Sequence, residues 1–163
     1  MKTLILVRHA KSSWEYNVID HERPLKERGV NDAIMVSNHL KIDTSAIDLI
    51  LCSDAVRTKA TSEIFISELN LKDKQIEYLH DLYDFDGQYL IEVIKGCDKA
   101  IDTLMVFGHN HGLTWFANTY GNTFIDNVPT SGVVVIEFPI TDWKDLNKGE
   151  TSLTLFPRDL KKK

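Results

Sequence analysis

Three short runs without a polar break set the fold: LILV (Leu4 to Val7), LILC (Leu49 to Cys52) and LMVF (Leu104 to Phe107). Successive side chains of a strand point to opposite faces, so a strand with one wet face alternates apolar and polar residues. Continuous apolar runs suit strands covered on both faces, as in parallel sheets flanked by helices. Helical stripes lie between them. Val30, Ala33, Ile34, Ser37 and Leu40 recur at three-four spacing, as do Val56, Ala60 and Ile64, with Phe65 and Leu69 on a neighbouring stripe. The pattern places a third helix over Gln88 to Lys95 and a fourth over Leu113 to Tyr120. VVVIEF (Val133 to Phe138) and TSLTLF (Thr151 to Phe156) read as two more strands, paired across a polar loop holding Pro139, Asn147 and Gly149. This alternation predicts one α/β domain over residues 1–163, a three-layer α/β/α arrangement around a mainly parallel sheet. Pro24 is expected to start the first helix. Gly29, inside that helical pattern, costs about 1 kcal/mol relative to Ala, which points to close packing or an altered turn there.

A net charge of -5 argues against general nucleic-acid binding, so any affinity for anions is local. Cys52 and Cys97 form no CxxC motif and read as reduced thiols. Met1-Lys2-Thr3 leads into an apolar run too short for a signal-peptide core, and no run is long enough to span a bilayer. The expectation is a cytoplasmic protein with no membrane partner, whose Lys161-Lys162-Lys163 end is a short, solvated basic tail.

Each apolar run ends in polar residues. The first gives Arg8-His9, the second Ser53-Asp54 with Arg57 shortly after, and the third Gly108-His109-Asn110. Ligands of open α/β sheets bind outside the carboxyl ends of the strands, so neighbouring strands would bring two arginines and two histidines together. Arginine matches phosphate oxygens with a planar fork and keeps its charge. A neutral histidine, its other nitrogen held by an acceptor, can attack phosphorus and carry the phosphoryl group.

Taken singly, each feature has a plainer reading. Arg8-His9 can be an ion-pair partner beside a strand-end histidine, and Arg57 a solvated helix residue. His109 and His111 have the spacing of a metal pair, but no neighbouring acidic or histidine cluster in the sequence supports it. Their convergence favours phosphate chemistry without a metal or other cofactor.

The residues also carry a resemblance. Arg8-His9-Ala10 resembles the Arg-His-Gly signature of the histidine phosphatase superfamily, the phosphoglycerate mutase-like fold. RHAKSSW, ERPLKERGVNDA, SDAVRTKAT, GHNHGLT, NVPTSGVVVIEF and FPRDL, in that order, are similar to the short SixA-type phosphohistidine phosphatases. The resemblance implies that His9 is the nucleophile, that Arg8 and Arg57 bind phosphate, and that His109 completes the pocket. In the superfamily the general acid often follows a Leu-x-Glu pattern, which Leu79-His80-Asp81 approximates. Asp81 is therefore the expected acid, with Glu77, Asp84 and Asp86 as rivals that can equally be loop or cap residues. Lys11, Ser53, Asn110 and His111 are candidates for a supporting shell, Ser53 as the shaper of the turn ahead of Arg57. Trp14 and Tyr16 can line the pocket mouth or pack on the domain. Two positions depart from the pattern: Ala10 replaces the usual Gly, and His111 stands where relatives often have Pro.

The short Asp81 to His109 interval leaves little room for a lid, which suits an open site. The expected activity is a phosphatase acting on protein phosphohistidine. A phosphatase of small phosphoesters and a non-catalytic phosphoprotein-binding module are the alternatives. The sequence does not give the oligomeric state.

Overall fold

The structure, a computed structural model, describes residues 1–161, so Lys162 and Lys163 of the expected tail lie outside the described residues. The chain forms β1 (Lys2–Arg8), α1 (Glu27–His39), β2 (Leu49–Ser53), α2 (Val56–Glu68), β3 (Ile76–Leu79) and α3 (Gln88–Lys95). It continues with β4 (Thr103–Gly108), α4 (Gly112–Tyr120), β5 (Val133–Phe138), β6 (Glu150–Leu155) and α5 (Pro157–Lys161). Single 3₁₀ turns cover Asp20–Glu22, Thr44–Ala46, His80–Leu82 and Trp143–Asp145.

The sheet order is β3-β2-β4-β1-β5-β6. β3, β2, β4 and β1 pair in parallel, and the β5–β6 hairpin adds two antiparallel strands beside β1. The apolar runs owe their continuity to two cores. Leu4, Leu6, Leu104 and Val106 join Leu90, Ile94, Leu113 and Phe116 of α3 and α4 in one cluster. The intervening Ile5, Val7, Met105 and Phe107 join Ala33, Val36 and Phe65 of α1 and α2 in the other. Alternate side chains thus feed opposite layers, and both layers are apolar.

Three local features differ from the sequence reading. Pro24 does not start α1: Leu25 bridges back to Ser12, and the helix begins at Glu27. Ile76–Leu79 is a strand that pattern reading passes over, because it lies at the sheet edge with Glu77 and Tyr78 exposed. The FPRDL segment folds into α5, where Lys161 pairs with Asp32 of α1 at 2.9 Å. Gly29 is buried where α1 crosses the loop after β1; a Cβ there would stand 2.2 Å from the Lys11 carbonyl oxygen. Cys52 is buried, Cys97 half-buried, and both are free. Among the described residues, no helix is long and apolar enough to cross a membrane.

Candidate active site

Register alone brings the strand ends together. Arg8 lies opposite Gly108 across β1 and β4, and Cys52 opposite Phe107 across β2 and β4. The chain therefore leaves all three strands at one edge of the sheet. The His9 amide donates to the Gly108 carbonyl at 3.1 Å, and the His9 and His109 rings lie 5.1 Å apart.

His9 is 6 % exposed, and its Nδ1 lies 2.7 Å from the Ala10 carbonyl oxygen. A carbonyl can only accept, so Nδ1 carries the proton and Nε2 keeps its lone pair, to which Arg57 Nε donates across 3.4 Å. Burial pushes the His9 pKa down to about 3; the Ala10 carbonyl pulls against it, and the charges of Arg57, Arg8 and Arg23 add to the lowering. The ring is neutral at physiological pH. Ala10 is itself anchored, its amide donating to Thr61 Oγ1 at 2.8 Å.

Arg57, in the first turn of α2, is buried and points its Nε at His9 Nε2 across 3.4 Å. Its other two nitrogens are held by one residue, through the Asp20 carbonyl at 2.7 Å and Asp20 Oδ2 at 3.0 Å. Asp20 Oδ1 takes a bond from Arg23 Nε at 3.0 Å, and the Tyr83 hydroxyl donates to Oδ2. These donors outweigh partial burial and hold the Asp20 carboxyl down at about 2. Arg8 donates from one terminal nitrogen to the Val128 carbonyl at 2.9 Å, while its Nε is buried without a partner. Burial and the nearby Arg57 charge both lower the Arg8 pKa. Two crowded guanidinium groups repel each other, and an anion between them relieves that repulsion.

His109 presents Nε2 to two hydroxyls, Ser53 Oγ at 2.8 Å and Thr58 Oγ1 at 3.2 Å. Ser53 Oγ also accepts from the Ala55 amide at 3.2 Å, so Ser53 shapes the turn into α2, as its place in the sequence suggests. Burial first, then the His9 and Arg57 sites, lowers the His109 pKa to about 2. Its Nδ1 is buried and unpartnered. With Nε2 accepting a hydroxyl proton, Nδ1–H remains a donor for a bound oxyanion.

A cleft of about 450 Å³ is lined by Arg8, His9, Arg57 and Asn110, with Lys11 and Lys26 among the rim cations and Trp14 and Phe85 among the aromatics; His109 adjoins it through the His9 ring. A larger hollow of about 560 Å³ between the β2–β3 edge and α3 is lined by Glu77, Glu92 and Asp98 and by no cation, so it does not suit phosphate.

The remaining candidates separate. Asn110 ties the site to Asn127 and Val128 and accepts from the Thr114 amide and hydroxyl within α4. Lys11 is exposed on the rim. His111 is exposed at the start of α4. Asp81 is exposed in the 3₁₀ turn and is not among the cleft-lining residues. Glu77 lies on the edge strand, and Asp84 and Asp86 accept amide protons at the start of α3. Asp20, Arg23, Tyr83 and Phe85 enter the site without having been singled out in the sequence. Arg23 sits within the ERPLKERGVNDA string; the others lie in loops that carry no periodic signal. Trp14 does reach the cleft, with the Arg23 guanidinium 3.4 Å above its ring.

Comparison with known proteins agrees with this fold. An uncharacterized Mycobacterium tuberculosis protein is 28% identical over 160 residues, covering 92% of this chain and 98% of its own. The solved structure of the protein histidine phosphatase SixA complexed with tungstate superposes with a TM-score of 0.76 at 20% identity, covering 98% of this chain and 99% of that one. An Agrobacterium tumefaciens protein provisionally assigned as the phosphohistidine phosphatase SixA gives 0.77 at 22%, covering 94% and 97%. The family described as the histidine phosphatase superfamily (branch 1) matches residues 4–115, a span that holds Arg8, His9, Arg57 and His109. The chain is therefore a phosphatase belonging to the histidine phosphatase superfamily, branch 1.

Proposed function

We propose that this phosphatase acts through a covalent phosphohistidine on His9 and that its substrate is phosphohistidine on a protein. One observation carries the substrate reading: Asp20, the carboxylate that lines the cleft, already accepts from Arg57, Arg23 and Tyr83 and has no proton to give. A phosphate ester leaves as an alkoxide unless an acid protonates it. A phosphohistidine whose ring is protonated on its second nitrogen leaves as neutral imidazole and brings its own proton.

The steps follow from the atoms present. His9 Nε2 attacks phosphorus, the phosphorus–nitrogen bond to the substrate ring breaks, and the substrate imidazole departs with both bonding electrons. Arg8, Arg57 and His109 Nδ1–H hold the oxygens of the transferring group, where charge spreads. The Nδ1 proton stays on the bond to Ala10, so phospho-His9 is itself an imidazolium. Water then attacks phosphorus, the bond to Nε2 breaks, and His9 returns as the neutral ring while the water proton passes to phosphate or solvent. No step calls for a metal ion.

The test is hydrolysis of a phosphohistidine-labelled carrier protein, with and without chelator, beside His9→Ala and a panel of small phosphoesters. Turnover of the carrier that survives chelation and vanishes in the variant is the expected result. Faster turnover of small esters than of the carrier assigns the site to small molecules. Carrier binding without hydrolysis makes the chain a binding module, and carrier turnover by His9→Ala removes the nucleophile.

A further inference from the structure

We propose that His21, Asp54 and His80 form a binding site for one divalent transition-metal ion of the zinc class, beside the phosphate cleft. The residues come from three separate segments: the 3₁₀ turn Asp20–Glu22, the turn after β2, and the 3₁₀ turn His80–Leu82. His21 Nε2 stands 2.7 Å from Asp54 Oδ1, and His80 Nδ1 stands 3.0 Å from Asp54 Oδ2. One ligand atom from each residue lies within 4.8 Å of the others. A zinc ion about 2.1 Å from nitrogen and oxygen donors in a tetrahedron sets those donors about 3.4 Å apart, so a small opening of the cluster admits it.

The donor set selects the ion. Two imidazoles and one carboxylate suit zinc, cobalt or nickel and not magnesium or calcium, which prefer oxygen throughout. Each ring binds through the nitrogen now facing Asp54, its proton moving to the other ring nitrogen or to solvent. The side chains of His21, Asp54 and His80 are 28%, 29% and 72% exposed, leaving an approach for the ion and room for water on it. Tyr83 walls one side, its ring 4.9 Å from that of His21.

The site would act as a clamp. His21 follows Asp20, which holds Arg57; Asp54 follows Ser53, which contacts His109; and His80 shares a short segment with Tyr83, which donates to Asp20. None of the three ligands lines the cleft, so the ion would fasten the frame around Arg57 and His109 without touching the phosphoryl group. This inference does not rest on the phosphohistidine reading, because its readouts are binding and stability.

Metal-stripped protein is titrated with Zn²⁺ by calorimetry and with Co²⁺ by visible absorption, for wild type, His21→Gln, His80→Gln and, as a control, the exposed His39→Gln. One ion per chain is expected in wild type and His39→Gln, with affinity at least tenfold weaker in the other two. At a hundredfold excess over the wild-type Kd, Zn²⁺ should raise the wild-type Tm by about 5 °C and that of His80→Gln by about half as much or less. The exposure of His80 keeps that variant folded. No ion bound by wild type, or equal binding by His21→Gln and His80→Gln, overturns the proposal and leaves the cluster a hydrogen-bonded bridge.

Discussion

Arg57 Nε stands 3.4 Å from His9 Nε2 while both remaining nitrogens of that guanidinium are bound to Asp20. One planar group therefore spans the distance between His9 and a fixed anion, which orients the fork before any phosphate arrives. Lysine cannot reproduce this, since its ammonium is a point charge on a flexible stem.

Arg57→Lys should lower kcat/KM by about 10²- to 10³-fold, the usual cost of removing a donor aimed at developing charge. Asp20→Asn keeps the shape but weakens the charged bonds, and a loss of about fivefold is expected, near 1 kcal/mol. Steady-state kinetics on a phosphohistidine carrier measures both. An Asp20→Asn loss as large as that of Arg57→Lys would mean that Asp20 does more than orient the arginine.

Thr61 supports His9 from behind. Its hydroxyl accepts from the Ala10 amide at 2.8 Å and donates to the Arg57 carbonyl at 2.7 Å, and Ala10 in turn accepts from His9. Thr61→Val leaves a buried amide without a partner, a cost of about 1–3 kcal/mol in stability. Because the lost bond fixes His9 rather than the phosphate, kcat should fall more than KM rises. Chemical denaturation and steady-state kinetics on the same variant check the two effects.

Both buried histidines of the candidate site couple folding to pH. Their folded pKa values lie at about 3 for His9 and about 2 for His109, below the ordinary 6.5. Between those limits the unfolded chain binds more protons than the folded one, so stability rises with pH. Their contribution is complete above pH 6.5 and is lost progressively as pH falls toward the folded values. His109→Gln should flatten the fall in Tm between pH 7 and pH 4.5. An unchanged slope in this variant would place His109 in a less desolvated state than its burial indicates.

Gly29→Ala tests the contact between α1 and the loop after β1. The added methyl would lie 2.2 Å from the Lys11 carbonyl oxygen, which also accepts from the Lys26 amide at 3.0 Å. Backbone cannot swing aside as a side chain can, and a penalty of about 1–3 kcal/mol is expected. Lys11 and Lys26 both line the cleft, so the variant should also bind the carrier more weakly. Denaturation midpoints and KM together measure this.

The central sheet was legible because its strands are buried on both faces, and that burial leaves an unbroken apolar record in LILV, LILC and LMVF. The meeting of Arg8, His9, Arg57 and His109 at one sheet edge was legible because each stands at or shortly after the end of one of those runs. β3 left no such record, since an edge strand with Glu77 and Tyr78 in water resembles a loop. Asp20 and Tyr83 left none either. Each belongs to a short irregular segment, and their meeting depends on how two loops cross the sheet edge. Asp81, the expected acid, sits exposed in the 3₁₀ turn after β3, outside the residues that line the cleft.

The placing of these two carboxylates has a kinetic consequence. With Asp81 exposed outside the cleft lining and Asp20 fully engaged by donors, the proposed reaction takes no proton from a carboxyl in the cleft. Rates should therefore follow how readily each leaving group departs unassisted. Phosphohistidine should be fastest, p-nitrophenyl phosphate much slower, and alkyl phosphates slower still. Asp81→Asn should not alter that order, because a side chain outside the cleft cannot donate within it. A plot of log kcat/KM against leaving-group pKa measures the dependence, and a steep negative slope is expected. A shallow slope that steepens in Asp81→Asn would show that the segment after β3 closes over the substrate and delivers the acid after all.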